Sequence, residues 1–249
     1  MTNFSRHLGI ENKFTRAITS LGKYVKGILH SFVGTDLIDT SSKITNSFQQ
    51  YSQFIEPWAE NITTGLVNDI SKHTAKILSQ SSKHRETSAY LRADEQIRRD
   101  TEAYLSSFLK EQLDLIKSIP LKASEHLHDI AFNHLLKNEL GLQADIEHYL
   151  LSLGEVTERK AAGIARDIVG KAHTGLLMIK SIQVGSKGYI WIVTNDNKLR
   201  PSHRTMMNKF VEWNNPPTLD DLTGHAGCLP FCRCHPAPVL PASLFEDVR

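Results

Sequence analysis

GYIWIVTND, residues 188 to 196, is the stretch on which the fold turns. From Tyr189 to Val193 every side chain is aromatic or β-branched. Such side chains suit a pleated, half-buried surface and crowd the turns of a helix. Gly188 and Asn195 bound the run, so it predicts one short buried strand. Upstream, apolar residues recur at helical spacing. Downstream, residues 195 to 249 are rich in Pro, Asn and Gly and allow short strands at most. The predicted class is therefore α+β: a mainly α-helical N-terminal body followed by a small irregular β-containing C-terminal module.

Outward from that strand, the nearest helical stripe is Ala161, Ile164, Ala165, Ile168, Val169, Ala172 and Leu176. Thr157 is placed to cap it, with Glu158 near the positive N-terminus. Ala162, Gly163 and Gly170 are small enough for close helix packing. Ile146, Tyr149, Leu150 and Leu153 predict a separate short helix ended at Gly154. Leu127, Ile130, Ala131, Leu135 and Leu136 predict another, stopped near Gly141. Leu105, Phe108, Leu109, Leu113 and Ile116 predict a third that ends before Pro120, which lacks the N–H the ladder needs. Residues 54 to 78 read as a helix with Pro57 near its start, and SQSSKHRETS (79 to 88) reads as a loop. Phe14, Ile18, Leu21, Val25, Ile28, Leu29 and Phe32 form an amphipathic stripe, either core-facing or a docking arm for another subunit. The polar stretch DTSSKITNS after it reads as a linker. The expected division is an N-terminal helix and linker at 1–50, a helical domain at 51–157 and a C-terminal module at 158–249.

The chain has 249 residues and is 40% hydrophobic, enough for a sizeable core. Lys+Arg 29 against Asp+Glu 27 leaves +2, which argues against a dedicated nucleic-acid coat. The balance is local, however: residues 151–200 hold eight Lys/Arg against four Asp/Glu, and residues 101–150 hold the reverse. The basic segment is the candidate polyanion face, weighed against an ordinary solvated helix surface. No run is long and apolar enough to span a membrane, and the start lacks a signal-peptide core, so synthesis in a reducing cytoplasm without export is expected. There a disulfide is disfavoured relative to thiols or metal ligation.

All three cysteines lie in GHAGCLPFCRCHP, residues 224 to 236. Cys228, Cys232 and Cys234 stand there beside His225, and His203 lies upstream in LRPSHRTMMNK. Thiolate and imidazole are the donors of a structural zinc site, so these five are the candidate ligands. The spacing is not that of a CxxC knuckle, and buried thiols in a hydrogen-bonded core are the competing reading. A Cys228–His225 nucleophile pair is conceivable, but thiols packed beside thiols are more often ligands, and none of the common catalytic motifs occurs. Asp196, Arg200 and His203 resemble an acid–base set; a turn whose Asp caps backbone N–H groups and whose Arg pairs with a carboxylate explains them better. The expectation is that the chain is not an enzyme.

The order of motifs is more specific than any one of them. IARDIVGKAHTGLL is followed by GYIWIVTNDNKLRPSHRTMMNKFVEWNNPP and then GHAGCLPFCRCHPAPV. This series resembles the Mu protein F family of phage minor head proteins. The matching positions include Arg166, Asp167, Trp191, Asp196, Arg200, His203, Trp213, His225, Cys232 and Cys234. Asn208 stands where the family often has the glycine of a turn, and Ala226 replaces a proline. Some relatives carry Cys-x-x-Cys where this chain has Arg200 to His203, which implies that His203 faces Cys232 and Cys234.

The resemblance implies a structural, low-copy head component of a tailed phage or prophage. It would be made in the host cytoplasm and located in the virion head interior or at the portal vertex. The expected partner is the portal protein, with the major capsid or scaffold protein and packaged DNA as further candidates, and the expected roles are procapsid assembly and DNA packaging or ejection. Arg159, Lys160, Arg166 and Lys171 are candidate phosphate contacts. The alternatives are a zinc-stabilised nucleic-acid adaptor and, last, a hydrolytic effector.

Overall fold

The structure, a computed structural model, describes residues 8–33, 37–81, 95–137, 143–194 and 199–241. Five long helices come first: α1 (Leu8–Ser31), α2 (Leu37–Phe54), α3 (Glu56–Ser81), α4 (Glu95–Lys137) and α5 (Gln143–Gln183). Then come β1 (Gly188–Ile192), the single-turn helix α6 (Pro201–Arg204), β2 (Phe210–Glu212), β3 (Thr218–Leu219), β4 (Leu222–Thr223) and β5 (His235–Val239). The α+β reading holds, with helices first and a few antiparallel strands last.

The chain forms two compact units. One comprises Asn12–Thr64 and Leu109–Ala165, and is helical. Its α1 stripe of Phe14, Ile18, Leu21, Val25 and Leu29 is buried within the chain, so this face is core rather than a free docking arm. Gly22 lies where an added Cβ would meet Ala161 Cβ at 2.9 Å, and Lys26 pairs with Glu155 at 2.5 Å. The stretch read as a linker is inside α2. Ser41, Ile44, Phe48 and Ser52 are buried at helical spacing, and the serines at two inner positions hid the stripe. Tyr24 and Tyr51 stack at 4.5 Å, with Phe54 beyond.

Two helix breaks expected from the sequence do not occur. Pro120 lies inside α4. Neighbouring hydroxyls bond the carbonyls around it: Ser118 Oγ donates to Leu115 O (2.7 Å) and Ser52 Oγ to Lys117 O (3.2 Å). Gly154 and Thr157 lie inside α5. A Cβ on Gly154 would meet Lys26 Cγ at 2.9 Å, so close packing accounts for that glycine. Thr157 Oγ1 donates back to Leu153 O (2.8 Å) and caps nothing. The expected stop at Gly141 and most of the loop at 79–88 lie outside the described residues.

The other unit comprises Met1–Glu11, Gly65–Phe108 and Arg166–Arg249. Here Lys180 Nζ donates to Ser71 O, Ser71 Oγ and Thr74 Oγ1 at 3.0–3.2 Å. Tyr104 Oη donates to Lys171 O at 3.1 Å, above Gly175. Strand β1 is the centre of a three-stranded antiparallel sheet in the order β2-β1-β5. Its alternation sends Tyr189 and Trp191 inward, both fully buried. They build a small core with Val211, Trp213, Ala226, Leu229, Cys232 and Cys234. Strand β5 contains Pro236 and Pro238, which are tolerated because it is an edge strand.

Candidate functional site

The site is assembled on α5 and the loop from Gly224 to Cys234. Gly170 brings the helix backbone against the loop backbone: a Cβ there would sit 2.3 Å from Gly227 O. Gly227 itself has φ +85°, which side-chain-bearing residues rarely adopt. One turn on, Thr174 Oγ1 donates to Ala226 O at 2.7 Å. One turn back, Asp167 Oδ1 accepts the Phe231 N–H at 2.7 Å. Phe231 has φ 56°, so the carboxylate holds a strained turn in place. Burial raises the Asp167 pKa, against the lowering effect of the Phe231 N–H.

Beyond that turn the chain presents Cys232 and Cys234 to His203, which projects from α6. His203 Nδ1 lies 3.4 Å from Cys232 Sγ and 3.6 Å from Cys234 Sγ. All three residues are buried, and their donor atoms lie within 4.8 Å of one another. Gly227 N–H points at Cys232 Sγ (3.4 Å). The two cysteines are in hydrogen-bond contact, and their acidities shift in opposite directions. Cys232 is lowered, first through the Cys234 thiol it accepts from, with help from the Gly227 N–H against the cost of burial. Cys234, which keeps the proton and donates it to Cys232, is raised. His203 Nε2 is buried without a hydrogen-bond partner, and its ring meets Trp191 edge-on at 5.9 Å. Two cysteine sulfurs and an imidazole at these distances can hold a soft divalent metal or form a hydrogen-bonded trio.

The other two candidate ligands do not join this group. His225 Nδ1 faces the Tyr189 hydroxyl at 3.3 Å, and its ring packs on Tyr189 and Trp213. Burial lowers its pKa. Cys228 turns toward Thr174, and burial pushes its thiol up to about 11. The Tyr189 hydroxyl also accepts the Ala226 N–H at 3.1 Å, which pins the loop to β1.

The described motif residues engage neighbouring segments of the module. Arg200 donates to Pro230 O at 3.0 Å and lies 3.9 Å from Asp220, which also accepts from Ser202 Oγ at 2.8 Å. Trp213 Nε1 donates to Ser186 Oγ at 3.2 Å. Asn208 has φ 60°, the left-handed geometry for which a glycine is the usual residue. Asp196 lies outside the described residues. Of the candidate phosphate contacts, Arg159 and Lys160 are exposed, whereas Lys171 is half-buried and Arg166 Nε lies 3.8 Å from Glu11 Oε1.

Residues 136–237 match the family described as Phage Mu protein F like protein. That stretch is a Phage Mu protein F-like module. It runs from the end of α4 to strand β5 and contains the whole His203–Cys232–Cys234 group. The chain is also 30% identical over 185 residues to an uncharacterized protein of Haemophilus influenzae, which covers 73% of this chain. The chain spans only 39% of that relative's length. No solved structure matches it. No helix among the described residues is long and apolar enough to cross a membrane.

Within the Mu F-like module, several residues that organise the site were not legible as such. Gly170 reads as a helix–helix packing glycine, yet it packs on a loop backbone. Thr174 and Tyr189 carry no motif signal, because each acts by reaching a backbone group distant in sequence: Ala226 lies 52 and 37 positions away.

Proposed function

We propose that the chain is a minor head protein of a tailed phage or prophage, associated with the portal vertex and acting in procapsid assembly and in DNA packaging or ejection. The observation that carries this reading is the Mu F-like module, whose matched span includes the sheet, the RPSH turn and the closing loop. The architecture supports it: Asp167, Arg200 and His225, residue types that catalysis also uses, instead tie separate segments of the module together through Phe231 N–H, Pro230 O and the Tyr189 hydroxyl, as a scaffold requires. The portal protein is the proposed partner, with the major capsid or scaffold protein as further contacts. Proposed contact with packaged DNA rests on exposed Arg159 and Lys160 and is non-specific, through phosphates.

The test is co-expression with a portal protein from the same phage or prophage, followed by mass spectrometry of purified procapsids and filled heads. The chain should copurify with portal oligomers in a fixed ratio and be present in the particles. Its absence from particles that assemble normally would overturn the reading. Phe54, 80% exposed beside the Tyr24–Tyr51 stack, is the first surface residue to substitute in that experiment.

A further inference from the structure

We propose that His203 Nδ1, Cys232 Sγ and Cys234 Sγ bind one zinc ion, with a water molecule as the fourth ligand. The distances carry it. With zinc–sulfur bonds of about 2.3 Å, zinc–nitrogen bonds of about 2.0–2.1 Å and a tetrahedral angle, a nitrogen and a sulfur on one ion stand about 3.5–3.6 Å apart. The same nitrogen, His203 Nδ1, stands 3.4 Å from one sulfur and 3.6 Å from the other. A single imidazole nitrogen has one proton or one lone pair, so it cannot make a full hydrogen bond to both thiols. An ion among the three donors satisfies both distances at once.

The surroundings fit the same assignment. Zinc with two thiolates and a neutral imidazole is uncharged, which suits a site where all three residues are buried. The Gly227 N–H aimed at Cys232 Sγ is the kind of backbone donor that steadies a metal-bound thiolate. Cys232 and Cys234 also line a cleft with Glu11, Arg166 and His173 that has room for about one water molecule. Binding releases the two thiol protons to solvent and forms two zinc–sulfur bonds and one zinc–nitrogen bond. It joins α6 to the closing loop across 29 and 31 residues of chain, so the ion closes the module.

Elemental analysis of the purified full chain, loaded with zinc and freed of excess, should find about one equivalent. Cys232→Ser, Cys234→Ser and His203→Ala should each lower retention about tenfold or more, as loss of a direct ligand does, whereas Cys228→Ser and His225→Ala should keep the ion. His203→Cys, which replaces one donor by another, should restore it. If the cysteine variants do not fold, cobalt substitution of the unaltered chain decides, since thiolate-bound tetrahedral cobalt gives a characteristic visible spectrum and a thiolate-to-metal band. A chain that retains less than about a tenth of an equivalent of zinc and shows no such band overturns the proposal. So does a Cys228→Ser variant that loses the metal as completely as Cys232→Ser.

Discussion

Substituting Gly170 with alanine separates two readings of α5 by the sign of its effect. If Gly170 were an ordinary helix-interior glycine, alanine would stabilise the protein by up to about 1 kcal/mol. The structure places the new methyl 2.3 Å from Gly227 O, a backbone atom that cannot rotate away. Helix and loop must separate by roughly 1 Å to reach ordinary contact, and such overpacking costs about 1–3 kcal/mol. The same movement stretches the Thr174–Ala226 and Asp167–Phe231 bonds, both 2.7 Å. Weakening them adds about 1–2 kcal/mol. After the helix-propensity gain, the net loss is about 1–4 kcal/mol, or roughly 2–16 °C in melting temperature for a chain of this size. Fluorescence of Trp191 and Trp213, both in the module core, reports the transition. Gly27→Ala is the control: nothing lies within 4 Å of its added Cβ, so it should be neutral or slightly stabilising. A Gly170→Ala protein at least as stable as the parent would refute the backbone contact on which the loop's placement rests.

Other perturbations test separate parts of the structure. Burial holds the Lys180 pKa at about 8 against an ordinary 10.5, so the folded state disfavours the ammonium. Stability should therefore gain about 3 kcal/mol as pH rises from about 8 to 10.5, and lose it on return; Lys180→Met should flatten that part of the profile in urea titrations at stepped pH, and an unchanged profile would contradict the burial argument. Asp167→Ala should cost about 2 kcal/mol by orphaning the Phe231 N–H, while Asp167→Asn, which keeps an acceptor, should cost less; equal losses in urea unfolding would remove the capping role. Asn208→Gly should hold or raise the melting temperature and Asn208→Val should cost about 1–2 kcal/mol, because φ is 60° there; equal stability of the two would deny the left-handed turn.

The legible parts of the chain are those whose signal is local. Strand β1 announces itself by composition, and the α1 stripe by period, because each is specified by residues that are neighbours in sequence. Pro120 and Gly154 mislead for the opposite reason: a helix tolerates either when other segments compensate. For Pro120 these are the Ser118 and Ser52 hydroxyls, and for Gly154 the close approach of Lys26. The linker reading of 39–47 fails on the same ground, since Ser41 and Ser52 bury as well as small apolar residues do when packing surrounds them. The candidate site shows the same division at higher resolution. Residue type marked five possible donors, but type cannot say which side chains converge. His203, Cys232 and Cys234 meet because Asp167 holds the Phe231 turn and Tyr189 pins Ala226, while His225 is drawn off to that same tyrosine. The selection of three donors from five is thus made by contacts between groups distant in sequence, two of them backbone N–H groups, which have no side-chain identity for a sequence to display. It follows that substituting Asp167 or Tyr189 should scatter the donors without altering one of them. Metal retention lost on Tyr189→Phe, which keeps the ring but removes the hydroxyl, would place that hydroxyl among the determinants of the site.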